Sequence, residues 1–172
     1  MIILSRSRTG SNLLMSLLNS HPKVHIHGEV FDWLRGRTCK EIYEETFPEI
    51  AEVDCLGFKI FYTHPIDDQE KSVWEMLKND RSLKIVHLVR KNMLRTYVSQ
   101  AIAEKNDIWT SQMGAATDEE KVVHIDFDKL MFDFKLTEQF VYLSKQYFTH
   151  HRHIEVTYDE LINGQKKILS KV

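Results

Sequence analysis

The sequence predicts an α/β protein built on a mainly parallel sheet with helices on both faces. Three observations carry that expectation. β-rich apolar runs alternate along the chain with segments of helical period, the order that parallel crossover units impose. Two of those runs, "MIIL" and "LKIVHLVR", are apolar almost throughout, as strands buried on both faces must be. Each is followed by a polar stretch containing arginine and then by a helix-patterned segment. In such sheets the ligand crevice lies beyond the carboxyl ends of the strands.

Met1 to Leu4 reads as the first strand, and Leu13, Leu14, Leu17 and Leu18 recur at helical spacing until His21-Pro22 ends the helix. Val24 to Glu29 alternates weakly, and Trp33 to Phe47 reads as an irregular helix. Leu56 to Tyr62 is a strand, Gln69 to Lys78 a helix, and Leu83 to Val89 a strong strand. Leu94, Tyr97, Val98, Ala101 and Ile102 then share one helix face. Lys105 to Glu120 is polar and without period, a surface excursion suited to a lid. Asp128 caps a long helix whose stripe runs Leu130, Phe134, Thr137, Val141, Ser144, Phe148. "HIEVTY" is the last strand, and "DELINGQKKILSKV" starts a terminal helix.

At 172 residues the chain is expected to form a single domain, residues 1–172. Its 42% apolar and 28% charged residues are those of an ordinary globular protein. A net charge of −2 offers no global attraction for nucleic acid or anionic membrane, so any positive site is local. Cys39 and Cys55 lack zinc or CxxC spacing and read as free thiols of a reducing compartment. No signal peptide or run of membrane-spanning length is found, and a cytoplasmic location is the expectation.

The first loop, "SRSRTGSN", carries more than a turn requires. Gly10 with Ser7 or Thr9 would serve as turn and cap, which leaves Arg6 and Arg8 as surplus charge opposing the helix dipole. A strand, a glycine loop and a helix N-terminus converge their N–H groups on one point, and an anion there would satisfy them. Arg8 would add a charge-assisted contact, and Ser11 and Asn12 could donate from the first turn. A capped turn with solvated arginines uses the same residues. The Lys-Ser/Thr pair of a Walker A loop is absent, which argues against a magnesium-dependent kinase of small molecules. At the second strand-to-helix junction Arg90 leaves the strand, and Ser99 follows nine residues on. The two would clamp a second anion if the loop between them folds back; a surface arginine and a helix-face serine would look the same.

Taken jointly, "SRSRTGSNLL" and "VRKNMLRTYVS", joined by "SHPKVHIHGEVF" and "GFKIFY", resemble the sulfotransferases that use 3′-phosphoadenosine 5′-phosphosulfate (PAPS), particularly their bacterial and carbohydrate-type branches. The resemblance extends from Ile2 to about Leu161. It implies a P-loop-like three-layer α/β sandwich and PAPS as sulfuryl donor, with no metal. It matches Arg8, Thr9, Gly10, Ser11 and Asn12 to the 5′-phosphosulfate loop, and Arg90 and Ser99 to the 3′-phosphate pair. Asn12 stands where Ser or Thr is commoner. Relatives generally continue past the counterpart of "VTYDELI" with segments that help enclose the adenosine, so the domain is expected to be short at its C-terminus.

The resemblance also implies a glutamate base in the region of "HGEVF", here Glu29. His64 in "YTHP" is the second candidate, by likeness to members that use a His after a Lys, although its spacing from Lys59 is longer. Lys59 would instead stabilise the bridging oxygen. His25, His27 and Glu29 would share one face of a strand; a polar sheet edge explains them better than a metal set. "THHRH" sits at a helix end, where His and Arg favour the dipole. Met76, Met93 and Met131 read as core filling. Phe31, Trp33 and Trp109 are candidates to line an acceptor cleft, or equally for core burial. The expected acceptor is a hydroxyl of a sugar or small metabolite. A catalytically inactive nucleotide- or anion-binding domain of the same fold is the alternative.

Overall fold

The computed structural model describes residues 1–47, 53–110, 113–114 and 116–172. Five parallel strands form one sheet in the order β2-β3-β1-β4-β5. They are β1 (Ile2–Ser5), β2 (Val24–His27), β3 (Cys55–Phe61), β4 (Lys84–Val89) and β5 (Arg152–Thr157). The all-apolar run at the start of the chain takes the central place, with every residue of β1 buried. The strand period of two then divides the core. Ile2, Leu4, Phe58, Ile60 and Ile85 face one way. They pack against Ile42 of α2 (Cys39–Thr46), Val73 and Leu77 of α3 (Ser72–Asn79), and Phe148 at the end of α5 (Phe127–Tyr147). Ile3, Ile26, Val86, Leu88 and Val156 face the other way. Against them lie Leu14 and Leu18 of α1 (Ser11–Leu18), Leu161 of α6 (Tyr158–Asn163), and Ile168 of α7 (Gln165–Leu169). The result is a three-layer α/β sandwich of the P-loop-like class.

The structure departs from the sequence expectation in several local places. Only the second half of Trp33 to Phe47 is helical. A capping box begins α2 at Thr38 and Glu41, and the segment before it is held as a loop by Asp67, which accepts from the N–H groups of Leu34 and Arg35. Asp126, not Asp128, caps α5, accepting from Lys129 N–H at 3.0 Å. The terminal helix is two short ones, interrupted at Gly164. In α4 (Met93–Asn106) Leu94 is exposed, while Thr96 and Ala103 are buried. This helix lies beside α5. Lys105 and Asn106 continue α4. The described part of the excursion has no long element, and is tied back by Asn106 to Glu120 O and by Lys105 to Val122 O; residues 111, 112 and 115 lie outside the described residues.

Phe31 belongs to the core, whereas Trp33 and Trp109 are about 40% exposed at 41% and 37%. Met76 packs against the core, and Met131 is exposed. His151 of "THHRH" is buried and donates from Nε2 toward the carbonyls of Leu77 and Asp80, closing the end of α3. Cys39 and Cys55 are free thiols. No described helix is long and apolar enough to cross a membrane.

Candidate functional site

The β1–α1 loop folds around two left-handed residues. Arg8 has φ 63° and Gly10 φ +91°, and this alternation turns successive amides toward one side. The Thr9 hydroxyl donates to Arg6 O at 2.7 Å, so it closes the loop and is committed there. Gly10 supplies no side-chain cap to α1. Helices α2, α4, α5 and α6 each have one, from Thr38, Asn92, Asp126 and Thr157. The first amides of α1, beginning at the buried Ser11, therefore receive no side-chain cap.

The two arginines of this loop have opposite fates. Arg6 makes a bidentate pair with Asp133 of α5, both contacts at 2.7 Å, and also reaches Thr137. Its charge is cancelled, and it leaves the anion cradle to which its surplus charge had pointed. Arg8 turns instead toward α4, donating from Nε to Ser99 Oγ at 3.0 Å and from its terminal nitrogen to Trp109 O. Arg90 comes to the same place, donating to Arg8 O at 3.1 Å and stacking 4.4 Å from the Tyr158 ring. Burial, and then the Arg90 charge, push the Arg8 pKa below its ordinary value. Neither guanidinium pairs with a carboxylate among the described residues. The expected two separate cradles thus adjoin: Ser99, assigned to Arg90, is hydrogen-bonded to Arg8.

Tyr158 is the residue that sequence reasoning missed. It follows β5 directly, and its ring covers both Arg90 and Gly10. A Cβ on Gly10 would lie 2.6 Å from Tyr158 Cδ2 at a backbone angle that side chains rarely adopt. Gly10→Ala is expected to cost about 1–3 kcal/mol, read as a lower denaturant midpoint at unchanged m-value. The signal in the sequence was the capping box "TYDE", which fixes where the strand ends and α6 begins.

On the α1 face of the sheet, Lys59 joins three elements. Its side chain is buried, pairs with Glu29 Oε1 at 2.8 Å and donates to Asn12 Oδ1 at 2.5 Å. The geometry follows from register: Lys59 lies opposite Ile3 of β1, and its backbone N–H bonds Gly28 O, so the chain leaving β2 places Glu29 over the ammonium. Asn12 spends its carbonyl on Lys59 and keeps its amide protons available. Glu29 is one-third exposed, so it reaches solvent on one side and a fixed cation on the other. β2 ends at His27, and His25 and His27 stack edge to face at 4.5 Å, so Glu29 does not continue their strand face. Among the described residues no three His, Cys, Asp or Glu side chains gather as a metal set.

His64 lies nearby, its ring 4.9 Å from that of Phe61, with Nδ1 buried and unpaired. Burial lowers its pKa, against the pull of Glu29 and Asp32. Its Nδ1 is enclosed, while Glu29 is one-third exposed.

The sequence significantly matches no protein-family model and no curated protein. Among solved structures, the fold is similar to the crystal structure of a sulfotransferase from Alicyclobacillus acidocaldarius, with a TM-score of 0.61 and 13% sequence identity. The similarity covers 99% of this chain and 77% of that one. At that identity it establishes the shared fold.

Proposed function

We propose that this chain transfers a sulfuryl group from PAPS to a hydroxyl of a sugar or small-metabolite acceptor. The observation that supports this reading most is the convergence of Arg8 and Arg90, unpaired by any described carboxylate, on the uncapped start of α1. Arg6, two residues away, has its counter-ion. Two adjoining guanidiniums without an acid call for an anionic ligand, and a donor with phosphate at both its 3′ and 5′ positions would satisfy both.

In this reading the start of α1 and Arg8 receive the 5′-phosphosulfate, and Arg90 and Ser99 the 3′-phosphate. Arg8 exchanges the Trp109 carbonyl for the ligand, which couples the excursion after α4 to donor binding. Glu29 accepts the acceptor hydroxyl proton as that oxygen bonds to sulfur. The sulfur–oxygen bond to the 5′-phosphate breaks, its electron pair stays on the phosphate, and Arg8 with the helix amides stabilises the charge. Lys59 holds Glu29 aimed, and ties it to Asn12 of the donor loop. His64, whose Nδ1 is buried and unpaired, is the alternative base.

Calorimetric titration tests the donor. PAP, the desulfated product, is expected to bind well above 5′-AMP and ATP–Mg²⁺. Arg90→Ala should weaken PAP by roughly tenfold to a hundredfold, the worth of a charge-assisted contact, and change AMP little. Binding of ATP–Mg²⁺ with no PAP binding would overturn the reading in favour of a kinase. PAP binding with no turnover on any acceptor would favour the inactive binding domain.

A further inference from the structure

A cleft of about 300 Å³ lies between α4 and α5, beyond the carboxyl ends of β1 and β3. That size is at the lower end for small-molecule sites. Phe61, Tyr62, Tyr97 and Phe140 line it, and Tyr62 and Phe140 stack at 5.4 Å. Aromatic faces of this kind hold the apolar faces of ring compounds.

The cleft adjoins the site described above. Phe61 lines it and carries the Lys59 ammonium 5.3 Å from its ring centroid, and Ser7, beside Arg8, forms part of its wall. Its charge is set by three groups. Arg6 and Asp133 cancel one another in their bidentate pair. Glu104, at the exposed rim, has no cation within salt-bridge reach among the described residues, and its carboxylate is aimed by a relay. The Ser7 hydroxyl meets Gln100 Oε1 at 2.5 Å, and Gln100 Nε2 donates to Glu104 Oε1 at 2.8 Å. The lining is therefore net negative, with one carboxylate oriented from the donor loop itself.

We propose that this cleft is the acceptor site and that Glu104 sets its charge preference. The acceptor is a compact hydroxylated ring compound that is neutral or carries an amine; carboxylated and phosphorylated sugars are turned away. This rests on the sulfuryl-transfer reading. The transfer chemistry is unchanged, with Glu104 selecting the acceptor and touching no reacting atom.

The experiment uses ¹⁵N-labelled full chain and three probes: glucosamine, methyl glucoside and glucuronate, each titrated with and without PAP. Amide shifts near Gln100, Glu104 and Thr137 report the cleft. Glucosamine should bind best, and glucuronate at least about tenfold more weakly, the scale of one like-charge contact near a surface. Glu104→Gln should close the gap between glucosamine and methyl glucoside, and Glu104→Lys should invert the order of glucosamine and glucuronate. Glucuronate binding as tightly as glucosamine, or sugars leaving those amides unmoved, would overturn the proposal. The wild-type ranking decides even if a variant does not fold. PAP titration separates the two readings: PAP binding without the sugar ranking sinks the cleft assignment alone, whereas loss of PAP binding sinks the transfer reading beneath it.

Discussion

Replacing Glu29 by glutamine is expected to lower turnover with PAPS and a hydroxyl acceptor by about 10²–10⁴-fold, the usual worth of a general base. PAP affinity should stay within about threefold, because glutamine still offers Lys59 an acceptor oxygen in place of the 2.8 Å ion pair. The substitution keeps the shape and removes the ability to take a proton, so kcat should fall with little change in KM for the donor. Single-turnover measurements at saturating PAPS read this directly. A variant with near wild-type turnover would move the base to His64, and His64→Gln would then carry the loss. Lys59→Met serves as the companion. It removes the cation that holds both Glu29 and Asn12, so activity and donor affinity should fall together. A base acting alone would not show that double effect.

The second large effect is loss of stability in mild acid. His87 lies on the α5 face of β4, fully buried, with Nε2 2.7 Å from the Tyr62 hydroxyl and Nδ1 unpaired. Burial, and then the neighbouring His153, push its pKa down to about 4, despite Glu155. Its folded pKa is therefore below the unfolded value near 6.5, and the unfolded chain binds the extra proton between these limits. The stability is fully present above about pH 6.5 and is lost as pH falls toward 4, by roughly 3 kcal/mol across the window. His153, His64 and His27 shift in the same direction, each through burial first, and add to the slope. Asp67, held below the usual carboxylate range by its bond from the Leu34 N–H, titrates below this window. Urea unfolding at pH 7 and pH 4.5 should show the drop. His87→Gln, which can keep the Tyr62 bond without titrating, should flatten the dependence. An unchanged slope in that variant would place the acid sensitivity elsewhere.

The strands were legible because they rest on local chemistry, whereas the central place of β1 came with the structure. A run such as "MIIL" has no polar face to give to solvent, so it goes inside on both sides wherever the chain leads it. The glycine loop was legible for the same reason: Gly10 needs its positive φ whatever surrounds it. Boundaries were less so. Leu94 matches a helix stripe, yet is exposed, and the buried positions of α4 are Thr96 and Ala103. Asp126 outcompetes Asp128 as cap because its backbone is extended while Asp128 is already in the helix.

The sequence by itself determined the α/β class, the strands that meet in the sheet, and the residue types available at its carboxyl edge. Only the tertiary structure decided which of those residues come together. Arg6 and Arg8 both read as surplus charge in "SRSRTG", and what fixes their partners is Asp133, 127 positions from Arg6, and Ser99, 91 positions from Arg8. Glu29 follows the end of β2 while Lys59 lies within β3, and only the parallel pairing of β2 with β3 brings one over the other. Apolar period and turn chemistry act over a few residues and are written in sequence order. Charge pairing acts through space, so it waits until folding has chosen the neighbours.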